Sequence, residues 1–344
     1  MVPGPDSVPL PETATAPARR DLYLAWIGFQ RRAVSMQEII GFDLHHLPPP
    51  FDVKILKPLG YLSQATRTAR LVLKGGYDTV WVQTPPTFIV HLLLAMRTRR
   101  SFRLIADLHH GALLPPWSRI PGAISLLNRC DVVLMHNSES LEKAAQMGVD
   151  RARMMVLEDP PPPDFRPGPA APGVVPEAPY VLVPCSFKYD EPIPMLIDTA
   201  RAMPEQHFVI TGNRHRAEAQ GFTANVPDNV TFTGFLDLAE YDALLANAAV
   251  VLGLTTAEGV QLSVANEALG AGRALVLSDT RVLRGMFGTA ALMSPNTAPA
   301  LVEALREARA HRTDMEAASR VLRDQRLAAW RDIIPRIRGT DRMI

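Results

Sequence analysis

The chain has 344 residues, room for two domains of ordinary size, and is 47% hydrophobic against 21% charged, a balance that marks a soluble globular protein with material for buried sheets. Lysines and arginines number 36 and aspartates and glutamates 35, so the basic excess of a nucleic-acid binder is missing. Two cysteines, Cys130 and Cys185, stand far apart without metal-ligand spacing, which suits free buried thiols in a reducing compartment.

In chain order, residues 1–18 lack a basic start followed by an apolar run, and their Pro/Ala/Thr bias reads as a mobile tail; a cytoplasmic location is expected. Apolar runs then alternate with helical patterns, the signature of βαβ units and parallel sheet. The spacing predicts strands at 22–26, 53–56, 79–83, 103–107, 132–136 and 154–157. A helix is predicted over 61–76, closed by Gly75 and Gly76. The apolar stretch 86–97 is too short to span a bilayer and contains His91, so it reads as a core helix, and any membrane contact would be peripheral, at the inner face.

The composition breaks at 160–179, where nine prolines fall in twenty residues; such a stretch cannot donate a regular hydrogen-bond ladder and reads as an extended connector. Alternation restarts, with strands expected at 180–184, 208–211, 230–233, 250–254, 274–277 and 290–293. Near the end, Leu327, Trp330, Ile334 and Ile337 form a helical stripe that needs a partner surface, on its own domain or on the first. The fold class is therefore α/β: two doubly wound Rossmann-like domains, with an expected tail 1–18, first domain 19–160, linker 161–179, second domain 180–318 and a returning C-terminal helix 319–344.

Two such halves place a ligand cleft at the carboxyl ends of their strands. A dinucleotide fold would need G-x-G-x-x-G after a strand. "WIGFQRRA" offers Gly28 alone, while Gly270 and Gly272 follow a helix and read as its stop; the lysine-bearing P-loop is absent too. The informative stretch is "TTAEGVQLSVANEALGAGRALVLSD", 255–279. A helix starting near Ser263 would leave its first-turn amides, from Gly259 through Val260, Gln261 and Leu262 to Ser263, at the positive end of the helix dipole, a site for a diphosphate. Glu258 precedes these amides and Glu267 lies on the second turn; carboxylates accept hydroxyl hydrogen bonds, so acids around an anion site fit a sugar nucleotide.

This block resembles the C-terminal domain of the group 1, family 4 retaining glycosyltransferases of GT-B fold. Their pattern is an acid followed by Gly, a short loop, a helix with a second Glu-Ala, a small-residue stop and a Val-rich strand. "NVTFTGFLDLAEYDALLANAAVVLGLTT" and "SPNTAPALVEALREA" extend the likeness on either side, and "LIADLHHG" and "DVVLMHNSESLEKAAQMGV" carry it in the first half. The resemblance implies transfer of a sugar from a nucleotide-sugar donor to a glycan, lipid-linked or other small acceptor, metal-independent and without a cofactor, in bacterial polysaccharide or glycoconjugate synthesis. Position by position it implies Glu258 at the donor sugar, Glu267 at the ribose, the amides from Gly259 to Ser263 at the diphosphate, and His109 facing the sugar and leaving phosphate, with His110 as the alternative.

There are two departures from the family pattern. Eight residues separate the glutamates where the family has seven, and Ser186 and Glu191 fall near the places of its diphosphate-binding arginine and lysine. Lys188 could substitute, or Arg31 and Arg32 beside Gly28 could supply charge from the facing domain. His45, His46 and His136 lack ligand spacing, so no metal is expected. A sugar-nucleotide epimerase of the same fold, or a binding protein that has lost catalysis, are the alternatives.

Overall fold

The structure, a computed structural model, describes residues 19–339 apart from 52 and 170; the expected tail 1–18 and the last five residues lie outside them. The first domain holds β1 (Asp21–Ala25), α1 (Arg31–Ile40), β2 (Asp43–His46), α2 (Lys57–Gly75), β3 (Thr79–Thr84), α3 (Phe88–Met96), β4 (Arg103–Leu108), β5 (Val132–Met135), α4 (Ser138–Gln146) and β6 (Met154–Val156). Its strands are all parallel, in the order β2-β1-β3-β4-β5-β6.

The second domain holds β7 (Tyr180–Pro184), α5 (Ile193–Ala202), β8 (His207–Thr211), α6 (Arg214–Ala219), β9 (Val230–Gly234), α7 (Leu238–Asn247), β10 (Val250–Gly253), α8 (Ser263–Ala271), β11 (Leu275–Ser278), α9 (Arg281–Phe287), β12 (Ala291–Ser294) and α10 (Ala298–Ala310), followed by α11 (Arg312–Arg338). Its parallel strands run β12-β11-β10-β7-β8-β9. Chain direction across the sheets reverses beside β1 in the first and between β7 and β10 in the second, and ligand crevices form at such switch points.

The central strands are buried on both faces, as parallel sheets require. One expected strand is corrected. Residues 54–56 form a 3-10 turn leading into α2, and the strand is Asp43–His46. That strand pairs with β1 alone and is only half-buried, so as a sheet edge it needs no apolar run.

The described residues of 157–179 form neither helix nor strand, yet the first prolines of this connector are packed. A Cβ on Gly270 would come within 2.6 Å of Pro162 Cδ, so this glycine is a close-approach site, while Gly272 at φ +63° is the helix stop. α11 crosses back: Trp330, Ile334 and Ile337 join Tyr23, Met36, Phe42 and Trp81 in one cluster on the first sheet. Trp330 Nε1 donates to the Glu158 carbonyl at 3.2 Å, and Arg338 Nε donates to Asp21 at 2.8 Å. No helix of the described residues is long and apolar enough to cross a membrane.

Candidate active site

The loop after β10 runs from Leu254 to the start of α8, with Gly259 at φ +75°, a conformation that L side chains rarely adopt. Leu262 occupies the N-cap and gives no side-chain hydrogen bond, so the first-turn amides are not capped from within. Glu267, one turn further on, is buried. Tyr241 of α7 donates its hydroxyl to Glu267 Oε2, and Arg31 Nε of the first domain lies 3.7 Å from Oε1. Burial raises the Glu267 carboxyl above the usual range, against the opposing pull of Arg31 and the Tyr241 hydrogen bond. Arg31 also pairs with Asp242, so one guanidinium ties α1 to both α7 and α8 across the cleft.

A cavity of about 650 Å³ opens here. Val260, Gln261, Leu262 and Ser263 line it together with Glu267, Tyr241, Ser186 and Lys188, and Phe29 of the first domain reaches its wall. Lys188 is exposed. Glu191 turns its carboxylate onto the loop after β7: it accepts from Ser186 N at 3.0 Å, from Ser186 Oγ at 2.6 Å and from Phe187 N at 2.7 Å. Phe187, held by this contact, has φ +52°. An acid therefore fills the amide nest that resembles an anion site.

Glu258 does not share that cavity. It is exposed, accepts from the Arg281 amide at 3.1 Å at the start of α9, and lines a second cavity of about 870 Å³ with Gly259, His110, Asn137 and Glu139. The 258–263 segment is thus a partition, facing one cavity with Glu258 and Gly259 and the other with the residues that follow. The first domain closes on this partition: Asn137 Nδ2 donates to the Gly259 carbonyl at 3.2 Å, and Glu139 pairs with Arg281.

His110 faces the larger cavity, and burial lowers its pKa. His109 turns inward, its ring edge-on to His136 at 4.3 Å and its Nε2 3.8 Å from Asp107. Burial first, and then His136, push His109 down to about 3, so the imidazole stays neutral. Gly28 sits exposed in the loop after β1. Arg32 does not reach the cleft. Its Nε and Nη2 each donate to Asp107 at 3.0 Å, its Nη1 donates to Asp159 at 2.7 Å, and the guanidinium is fully buried. Burial opposes ionisation of Asp107, but Arg32, then His136, hold its carboxyl well below the usual range.

Asp107, His109 and His136 bring ligand-type atoms within 4.8 Å of one another, a grouping that ligand spacing along the chain does not reveal. Their chemistry fits a cation poorly. Both Asp107 oxygens already accept from Arg32, Tyr23 donates to one of them at 2.7 Å, and the fixed guanidinium charge would repel a metal. Sequence reasoning also missed Tyr241 and Asp242, inside a stretch that reads as an ordinary helix. Asp107 did leave a signal, being an acid within an apolar strand that must find a partner when buried.

Residues 178–311 match the family model "Glycosyl transferases group 1". No curated protein matches the chain. Among solved structures, HepE from Anabaena, in complex with UDP-glucose, is similar with a TM-score of 0.68 at 15% identity over 94% of this chain and 99% of that one. Sucrose-phosphate synthase from Thermosynechococcus elongatus gives 0.63 at 14% identity, over 93% and 97%. A glycosyltransferase from Rickettsia africae gives 0.62 at 11% identity, over 95% and 100%. At these identities the likeness is one of fold. The second domain thus matches the group 1 glycosyl transferase model, and the chain as a whole has the two-domain GT-B fold of these structures.

Proposed function

We propose that the chain transfers a sugar from a nucleotide-sugar donor to a glycan or lipid-linked acceptor, with retention at the reacting carbon and without a metal or cofactor. The reading assigns bacterial polysaccharide or glycoconjugate synthesis, on the cytoplasmic side and peripheral to the membrane. The observation that carries it is Glu267, buried one turn inside α8, whose N-cap residue Leu262 gives no side-chain hydrogen bond to the first-turn amides. The nucleotide would lie in the 650 Å³ cavity, its ribose hydroxyls on Glu267 and its diphosphate on the amides from Val260 to Ser263. The sugar would project past Gly259 toward Glu258 and His110, where the larger cavity offers the acids and histidine that suit polyols. The UDP-glucose held by HepE supports this class of donor.

A departing diphosphate develops charge that the protein must stabilise. Lys188 is the cation lining the cavity, and Arg31 lies beside Glu267. His109 is neutral and inward, so in this reading it orients groups by hydrogen bonding and His110 meets the sugar. Glu191 in the amide nest supports a second reading, a protein that binds sugar nucleotides without transferring them. The test is incubation with UDP-, GDP- and ADP-glucose, following release of the nucleoside diphosphate with and without glycan acceptors and with EDTA present. We expect EDTA-insensitive release that an acceptor accelerates. Binding without release would support the second reading; neither binding nor release would overturn both.

A further inference from the structure

We propose that Asn137 is a positioning residue for the donor: from the first domain it aims the Val260 amide of the second into the cavity where the diphosphate would lie. The inference rests on the reading of the donor site given above. Asn137 is the N-cap of α4, and its side chain is buried. Its Oδ1 accepts from Ser140 N at 2.8 Å, which leaves Nδ2 to donate to the Gly259 carbonyl at 3.2 Å. Capping alone would be served by serine, threonine or aspartate. Asparagine joins an acceptor for the cap to a donor for a second group, and here both are used, the second across the domain boundary.

The carbonyl held in this way fixes its neighbour. Gly259 O and Val260 N–H belong to one planar peptide, which is trans, so they point in opposite directions. The carbonyl is drawn to Asn137, which lines the larger cavity. The N–H therefore faces away from it, on the side of Val260, which lines the cavity of about 650 Å³. Among the described residues that N–H makes no hydrogen bond to the protein. Gly259, at φ +75°, restrains the peptide after it very little, because glycine accepts most backbone conformations. The orientation of the amide thus needs a hold from outside the loop, and Asn137 supplies it. Glu139, in the same first turn of α4, pairs with Arg281 of α9, so this turn meets the second domain twice. The amide is aimed only when the domains are together. The first domain completes a site built in the second, and a diphosphate bound there favours closure in return.

The experiment compares wild type with Asn137→Asp and Asn137→Ser, which keep an acceptor for the cap and lack the donor. Melting temperatures confirm folding. In crystals grown without nucleotide, the Gly259–Val260 peptide should keep its orientation in the wild type. It should turn round in Asn137→Asp, whose carboxylate repels the carbonyl and attracts the N–H. Calorimetric titration with UDP, GDP and ADP identifies the diphosphate that the wild type binds. Asn137→Asp should hold it about tenfold more weakly, one charge-assisted hydrogen bond being lost, with Asn137→Ser in between. The corresponding nucleoside, which brings no phosphate to the amide, should compete as well as before. An unturned peptide, an unchanged diphosphate affinity, or a nucleoside weakened as much as the diphosphate would overturn the inference and leave the donor reading standing. A wild type that binds none of the three would overturn both.

Discussion

Arg31, the first residue of α1, lies 3.7 Å from Glu267 on α8, and the two belong to different domains. The same guanidinium pairs with Asp242, and both pairs are largely shielded from water. Removing one member of such a group leaves the other charges unmatched, at a cost of about 2 kcal/mol. Arg31→Ala should therefore loosen domain closure, visible as a larger radius in small-angle scattering. It should also raise the Glu267 carboxyl further, because its opposing cation is gone, and weaken nucleotide binding about tenfold. An unchanged radius and affinity would remove Arg31 from the closure.

Glu191 sits where its removal should have opposite effects on stability and binding. Its carboxylate accepts from two amides and a hydroxyl around Phe187, and hydrogen bonds to a charged group contribute about 1.5–3 kcal/mol each when the partner is lost. Glu191→Gln should lower stability by about 1–2 kcal/mol, while taking negative charge away from the proposed diphosphate position and tightening binding of nucleoside diphosphates. Chemical denaturation and calorimetric titration of the same variant measure the two effects. A loss of both stability and affinity would show the nest to be structural only.

His109 gives the pH dependence its sign. In the unfolded chain its pKa is about 6.5; in the folded protein burial and His136 bring it to about 3. Above 6.5 both states leave it neutral and it contributes nothing. Between 6.5 and 3 the unfolded chain takes up a proton that the folded protein refuses, so stability falls as pH falls across that window. His109→Gln should flatten this part of the stability profile, measured by denaturant unfolding from pH 7 to 4. A profile identical to wild type would place the buried charge elsewhere.

The parallel strands were legible because strands buried on both faces demand uninterrupted apolar runs, as in "TVWVQT" and "VVLG". The edge strand Asp43–His46 was not, since one partner and half-burial ask for little apolar character, and the apolar "VKIL" nearby went to an exposed turn. The start of α8 near Ser263 and the place of Glu267 on its second turn could be read from one contiguous block; the burial of Glu267 could not. The cross-domain contacts could not: Arg31 and Asp242 are 211 residues apart, and two adjacent arginines with similar local sequence ended in opposite environments. Arg31 meets the facing domain, while Arg32 is held inside its own by Asp107 and Asp159. That division depends on the phase of α1 against the sheet, which only packing fixes. The separation of Glu258 from Glu267 into two cavities depends likewise on the turn at Gly259.

The most direct measurement is calorimetric titration of the wild type and of Glu267→Ala with UDP, GDP and ADP, with melting temperatures as the control for folding. The account expects one of the three to bind the wild type, and the variant to bind it about a hundredfold more weakly, the effect of losing charge-assisted hydrogen bonds to ribose. A folded variant that binds the same nucleotide as tightly as wild type would contradict it.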